Sequence, residues 1–419
     1  MKRITAFISV IISCISINAA LTGKVTYNEI QCEGSAMPYP TPESSVSYPD
    51  SLTPVMINHV GRHGARYPSS ASRPLAMKRA LEHADSLGTI TTLGKELLDV
   101  TKNVIARSNG KWGALDSLGM AEQRGIAARM FANYPNLFAN GRVNAISSYS
   151  PRCIMSMYTF THQLSRMNNR IEIFTSSGRQ NSPLLRPFDI DQDYIDYRED
   201  KPYDDVLKSF IAETAPVTPI KRVLGEAYPL DDENLRELAM TEYGLLAGLS
   251  AMGYNIDVTR FFTLEEYNKL WSCNNLRQYL ERTANTISTV PADIAADLLM
   301  NLINTTDEVA ERRSDARVQL RFGHAETLMP LLSLMHLPGC YYMTNYFDTV
   351  ESHWRNFHVV PMASNLQMIL FRAKSGRLYV RIDLNEVPVT LIPGNDSIYL
   401  PWTRAKQYLM RCLPLHMQI

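Results

Sequence analysis

The stretch "PVMINHVGRHGARYP", Pro54–Pro68, decides how the chain is read. Its first half is a short apolar run, the pattern of a buried strand. Its second half sets Arg62, His63 and Arg66 around two glycines, Gly61 and Gly64. A strand that ends at a glycine and turns sharply delivers successive side chains to the carboxyl edge of a parallel sheet, where open α/β folds hold ligands. Two guanidiniums can grip a dianionic phosphate in forked geometry and offset the charge on its equatorial oxygens during transfer. A neutral imidazole between them keeps a ring nitrogen free to attack phosphorus. The bland alternative is a solvent-facing basic turn.

His59 and His63 are four apart, the spacing that presents two zinc ligands on one helix face. Here the preceding residues favour a strand, no glutamate intervenes, and Arg62 places a cation between the two rings. No metal or other cofactor is expected, and His59 reads as a packed strand residue.

The rest of the chain frames this turn. With 419 residues, 45% of them hydrophobic, it can bury a large core. Its 42 basic side chains balance 42 acidic ones, so no global field draws it to nucleic acid or an anionic membrane. Any anion site must be local. Residues 1–20 read as a removable export signal: Lys2 and Arg3, the apolar Ile4 to Ile17, then Asn18, Ala19 and Ala20. The run "IISC" offers a second reading, a lipoprotein box that would leave Cys14 lipidated. The expected location is therefore periplasmic or outer-membrane associated, or else secreted. Five cysteines follow, scattered singly, without the paired spacing of a zinc or thioredoxin-like site. Their pairing cannot be deduced.

Residues 21–53 look like an irregular lead-in rich in proline and serine. Helices are expected at Ser72 to Leu87, Thr92 to Asn109 and Ala121 to Tyr134, then a strand at "RVNAISSYS" and a helix through "CIMSMYTFTHQL". From about residue 188 to 313 the pattern is helical, including "PADIAADLLMNLINTTDEVAERR" read as one helix. Strand signals return at "ARVQLRFG", "NLQMILFRA", "RLYVRIDL" and "PVTLI". The predicted architecture is α/β, a mainly parallel sheet flanked by helices. It is built from residues 54–187 and 314–419 and interrupted by a mostly helical insertion, residues 188–313.

At this point a resemblance carries weight. "RHGARYP" matches R-H-G-x-R-x-P, five specified positions in seven, and the chain resembles the histidine phosphatases, in the branch of acid phosphatases and phytases. The resemblance implies His63 as a nucleophile that becomes a phosphohistidine, with Arg62 and Arg66 as phosphate clamps. It also implies a third arginine after a later strand, which "SSYSPRCIMS" supplies as Arg152, with Ser156 four residues on. A second histidine and an acid should follow a strand in the carboxyl-terminal half. "VQLRFGHAETLMPLL" provides His324 as a phosphate contact and Glu326 as proton donor, before a helix whose first turn Pro330 suits. The triplet "HAE", with "SPLLRPFD", "PMASNLQMILFR" and "VRIDLNEVPVTLIPG", is similar to the multiple inositol polyphosphate phosphatase group.

Phytate and lower inositol phosphates are therefore the expected small-molecule substrates, with no stable protein partner. A broad acid or sugar-phosphate phosphatase is the alternative, and a binding protein without catalysis is disfavoured because binding needs neither nucleophile nor acid. Arg186, Arg179 and Lys201 are candidate additional phosphate contacts. A proton donor at Glu326 should have a pKa raised above the usual value of about 4.3.

Overall fold

Two strands far apart in sequence lie side by side, and this adjacency builds the site. The computed structural model describes residues 25–44, 46–139 and 142–418; the segment read as an export signal, with Cys14, lies outside the described residues. One sheet holds β1 (Leu52–Arg62), β2 (Arg142–Ser147), β3 (Glu172–Ser177), β4 (Ala316–Gly323), β5 (Asn365–Ala373), β6 (Leu378–Leu384), β7 (Val387–Val389) and β8 (Leu400–Pro401). Their order is β3-β2-β4-β1-β5-β6-β7, with β8 beside β6. β4, reached only after the helical stretch, inserts between β2 and β1.

β1 to β4 run parallel. β5 to β8 pair antiparallel with their neighbours, so the sheet is mixed beyond β1. For β5 and β6 the reason is local: β5 returns into β6 through a turn at Gly376, whose φ of 85° suits glycine. A crossover helix has no room there.

β1 is buried almost without a break from Met56 to Arg62 because both faces of the sheet are covered. On one face Ile57, Val143 and Leu320 pack with Ile126, Met130, Phe160 and Leu164 of helices Ser117–Asn133 and Pro151–Met167. On the other, Met56 and Val60 meet Leu298 and Leu302 of helix Ala296–Ala310 and Leu328 of helix Ala325–Leu334. Each such buried Leu, Ile or Phe contributes roughly 1.5–3 kcal/mol.

A third core joins helices Thr218–Leu224, Asp232–Leu246 and Leu264–Arg282 to the earlier helices Ser72–Ser86 and Thr92–Ser108. Tyr27, Cys32 and Met37 enter the same core. The lead-in is thus ordered, with a 3-10 helix at Gln31–Ala36.

Several boundaries differ from the sequence reading. The helix expected from Ala121 starts at Ser117, because Asp116 accepts the Leu118 N–H and caps it. The single helix expected after residue 290 is two, Val290–Asp293 and Ala296–Ala310. Pro330 lies inside helix Ala325–Leu334, one turn later than expected. Among the described residues Cys32, Cys153, Cys340 and Cys412 are free thiols.

Candidate active site

Parallel register sets the geometry. Arg62 of β1 stands opposite Gly323 of β4, so the next residues, His63 and His324, leave the sheet together. Their ring centroids are 5.8 Å apart and nearly perpendicular, at 74°. The His63 N–H donates to the Gly323 carbonyl at 3.0 Å, and the Ala363 N–H donates to the His63 carbonyl at 3.1 Å. β2 ends beside β4, with Ser147 opposite Phe322, and brings in Ser148 and Arg152.

The turn after β1 is held as tightly as the strand. A Cβ on Gly64 would lie 2.4 Å from the Gly119 carbonyl oxygen, and one on Gly119 would lie 2.1 Å from the Ala65 oxygen. Only two glycines let the turn approach helix Ser117–Asn133 this closely. That helix then clamps the turn: Glu122 accepts the Ala65 N–H at 2.7 Å, and the Gln123 amide donates to the Arg62 carbonyl at 3.0 Å. Ser156 accepts the Gly64 N–H at 3.2 Å.

His63 has a defined tautomer. Its Nδ1 lies 2.9 Å from the Gly64 carbonyl oxygen, which can only accept, so Nδ1 carries the proton and Nε2 keeps the lone pair. Burial, then the charges of Arg62, Arg152 and Arg66, hold its pKa well below the usual histidine range. The ring is neutral throughout the physiological range, as a nucleophile requires.

The cations around it are crowded. Arg62 is fixed by donation to the carbonyls of Ser35 (2.5 Å) and Val360 (2.6 Å). Burial and neighbouring guanidiniums push Arg62 down to about 9 and Arg66 to about 10, both still charged. Nε of Arg62, Arg66 and Arg152 is buried without a partner.

At His324, Arg152 Nη2 stands 3.3 Å from Nδ1, while Arg186 Nη1 and Ser148 Oγ stand 2.8 and 2.9 Å from Nε2. A neutral imidazole accepts at one nitrogen only, and arginine never accepts. One guanidinium therefore faces an N–H, a conflict that an anion seated among these donors relieves. Burial first, then Arg152 and Arg186, push His324 down to about 3.

Glu326 opens helix Ala325–Leu334, on the cleft wall. The expected raised pKa is not what the structure shows. Burial alone acts upward, but Arg282, 3.1 Å from its Oε1, together with His324, a backbone N–H and Arg62, outweighs it, and the carboxyl is held well below the usual range. The cause is an uncompensated cationic cluster.

Together these elements bound a cleft of about 440 Å³ lined by six arginines, Arg62, Arg66, Arg73, Arg152, Arg277 and Arg282, with no lysine. Guanidiniums are suited to forked contacts with phosphate oxygens. A hollow of about 290 Å³ continues it past Ser69, Ser70 and Arg73.

Of the other expected contacts, Arg186 reaches His324 while its Nε pairs with Asp189 at 2.6 Å. Arg179 lies one layer back, over the Tyr149 ring that Arg186 also covers. Lys201 is exposed at the end of helix Gln192–Asp200 and is not among the residues lining the cleft. His59 is buried between Phe160 and Phe322. Among the described residues no three His, Cys, Asp or Glu side chains are grouped to hold a metal.

Sequence reasoning missed Arg73, Arg277, Arg282, Glu33, Glu122 and Gln123. A signal for two of them, Arg277 and Arg282, existed: Asn274, Arg277, Gln278, Glu281 and Arg282 recur at three- and four-residue spacing on a helix most of whose other residues are buried.

Known proteins share this fold. The human multiple inositol polyphosphate phosphatase 1 is 24% identical over 404 residues, covering 88% of this chain and 81% of the relative. The Bifidobacterium longum multiple inositol polyphosphate phosphatase, solved with inositol hexasulfate, superposes with a TM-score of 0.79 at 18% identity, over 92% of this chain and 99% of that one. The phytase from D. castellii gives 0.72 at 16% identity, over 92% and 86%. The model of the histidine phosphatase superfamily, branch 2, matches residues 55–385, and the chain belongs to that family.

Proposed function

We propose that the protein removes phosphates one at a time from inositol polyphosphates such as phytate, through a phosphohistidine at His63. The observation that carries this reading is a neutral imidazole with a free Nε2 on the floor of a cleft walled by six arginines. Arg62, Arg66, Arg152 and His324 hold the phosphate undergoing attack, which removes the conflict at His324. His63 Nε2 attacks in line, the P–O bond to inositol breaks, and Glu326 gives the leaving oxygen its proton. The Gly64 carbonyl, already bonded to Nδ1–H, stabilises the cation that forms on the ring. Water then attacks phosphorus while the Glu326 carboxylate accepts its proton, which releases phosphate and restores His63.

Glu326 is ionised before substrate binds, so its proton must arrive with the substrate. A phosphate monoester has a second pKa of about 6 and binds below that pH carrying one proton. Its negative charge offsets the arginine field and lets the carboxyl take that proton.

The test follows inositol phosphate products from phytate in the presence of chelator. His63→Ala should abolish turnover. Glu326→Ala should slow phytate far more than an aryl phosphate, whose leaving group needs little protonation. Equal losses on both esters would refute the acid assignment, and release from phytate no faster than from a sugar phosphate would refute the substrate. Export is part of the proposal, supported by the composition of residues 1–20. An amino-terminal sequence of the mature protein that still begins at Met1 would contradict it.

A further inference from the structure

Two acids of the cleft, Glu33 and Glu281, have no role in the reaction above. Glu33 lies in the 3-10 helix Gln31–Ala36 and lines the same cleft as His63 and Arg62. It is 9% exposed, its Oε1 accepts from the Ser250 hydroxyl, and its Oε2 is buried without a partner. Six arginines share the cleft, yet among the described ion pairs none reaches Glu33, whereas Arg282 is bonded to Glu326.

The segment is well fixed: Ser35 supplies the carbonyl that holds Arg62, Gln278 donates to the Ser35 hydroxyl, and the Tyr243 hydroxyl donates to the Cys32 carbonyl. A buried carboxyl without a cation costs least when it is protonated, and a protonated carboxyl is a donor. In a wall whose cations are all guanidiniums, it is a donor that pH can switch off.

We propose that Glu33 is a specificity-determining residue: as a neutral acid it turns its buried, unpartnered oxygen into the cleft and donates a hydrogen bond to a charged group of the bound polyanion, remote from the phosphate under attack. Ionised, it repels that group. The inference rests on the phosphatase reading given above and adds to it a second carboxyl, one that binds and does not transfer protons to the leaving group.

The ionisable groups on the elements packed around Glu33 include Glu29 and Cys32 of its own segment, Tyr243 of helix Asp232–Leu246, Tyr267, Arg277, Glu281 and Arg282 of helix Leu264–Arg282, His358 of the turn Asn356–Val359, Arg62 and Arg73. The guanidiniums favour the ionised form, and burial outweighs them. Burial raises Cys32, Tyr243 and Tyr267, which keeps them uncharged, and raises the Glu33 carboxyl to about 7 against the opposing Ser250 bond.

The experiment uses myo-inositol hexasulfate, whose sulfate esters stay fully ionised across the range, so any pH dependence belongs to the protein. Its affinity for the intact enzyme, for Glu33→Gln and for Ser250→Ala is measured calorimetrically from pH 5.5 to 8.5, in buffers of different ionisation enthalpy. The enzyme should lose about tenfold in affinity as pH rises through 7, the cost of one hydrogen bond to a charged group. It should also take up a proton on binding at the upper end.

Glu33→Gln, which keeps shape and donor, should lose less than about twofold and show less uptake. Ser250→Ala removes the bond that stabilises the ionised form, so its decline should move to higher pH. Identical profiles for the enzyme and Glu33→Gln would overturn this inference and leave the phosphatase reading intact. Failure of the enzyme to bind the hexasulfate at any pH would overturn both.

Discussion

The floor and the roof of the cleft are built on different principles. The floor, at the ends of β1, β2 and β4, is fixed by strand register, by the Gly64–Gly119 contact and by backbone hydrogen bonds that set one tautomer of His63. The roof offers Arg73, Arg277 and Arg282 from two helices whose cores lie elsewhere. Covalent chemistry depends on sub-ångström placement, whereas holding a polyanion depends on charge within a few ångströms. Floor substitutions should therefore change turnover, and roof substitutions should change affinity and its salt dependence.

The largest effect is expected on the floor. His63→Ala should lower kcat on phytate by about 10³-fold or more, because no other group supplies the nucleophile. A smaller loss would mean that the attacking group is water. Glu122→Ala keeps every cation but frees the Ala65 N–H, and should lower kcat about tenfold with little change in KM. A pure KM effect would erase the distinction between floor and roof.

On the roof, Arg277→Ala should raise KM for phytate about tenfold at low ionic strength, and less in high salt, with kcat nearly unchanged. Arg282→Ala sharpens the comparison, since Arg282 belongs to the roof but bonds Glu326 on the wall. Loss of that cation lets burial raise the Glu326 carboxyl, so the alkaline limb of kcat should move to higher pH.

The smallest effect concerns stability alone. Glu242, fully buried behind the roof with both carboxyl oxygens unpartnered, is pushed up to about 8 by burial. A carboxyl whose pKa is raised on folding stabilises fully below its unfolded value, and that contribution is lost as pH rises through the folded one. The protein should thus lose on the order of 1–3 kcal/mol between pH 4.5 and 8, and Glu242→Gln should flatten the melting-temperature profile over that range. Parallel profiles would contradict the assignment.

The same contrast explains what could be read from the sequence. The floor's nucleophile and clamps stand in one heptapeptide, because one turn places them, and β4 and β5 were legible to the residue, β4 from apolar residues alternating with polar ones and β5 from its apolar centre. β3 was not, since its strand "EIFTSS" lies at the sheet edge, mostly exposed, with little apolar pattern. The antiparallel pairing beyond β1 depends on a turn whose partner strands read alike in either direction. The roof arginines carry no motif, because each is an ordinary cation on its own helix and gains meaning only from packing. The titration of Glu326 was misread for that reason: its partner, Arg282, belongs to another helix.

The central claim is that phosphate passes through Nε2 of His63. The direct measurement mixes Glu326→Gln with a phosphate-labelled aryl phosphate, quenches within milliseconds to seconds, and maps the labelled peptide. An activated leaving group departs without the acid, while hydrolysis lacks its base, so the intermediate should accumulate. The account predicts an acid-labile, base-stable phosphate on Nε2 of His63, close to one per molecule, and none in His63→Ala. Label on any other side chain, or turnover of the aryl ester by the intact enzyme with no labelled protein in either form, would contradict it.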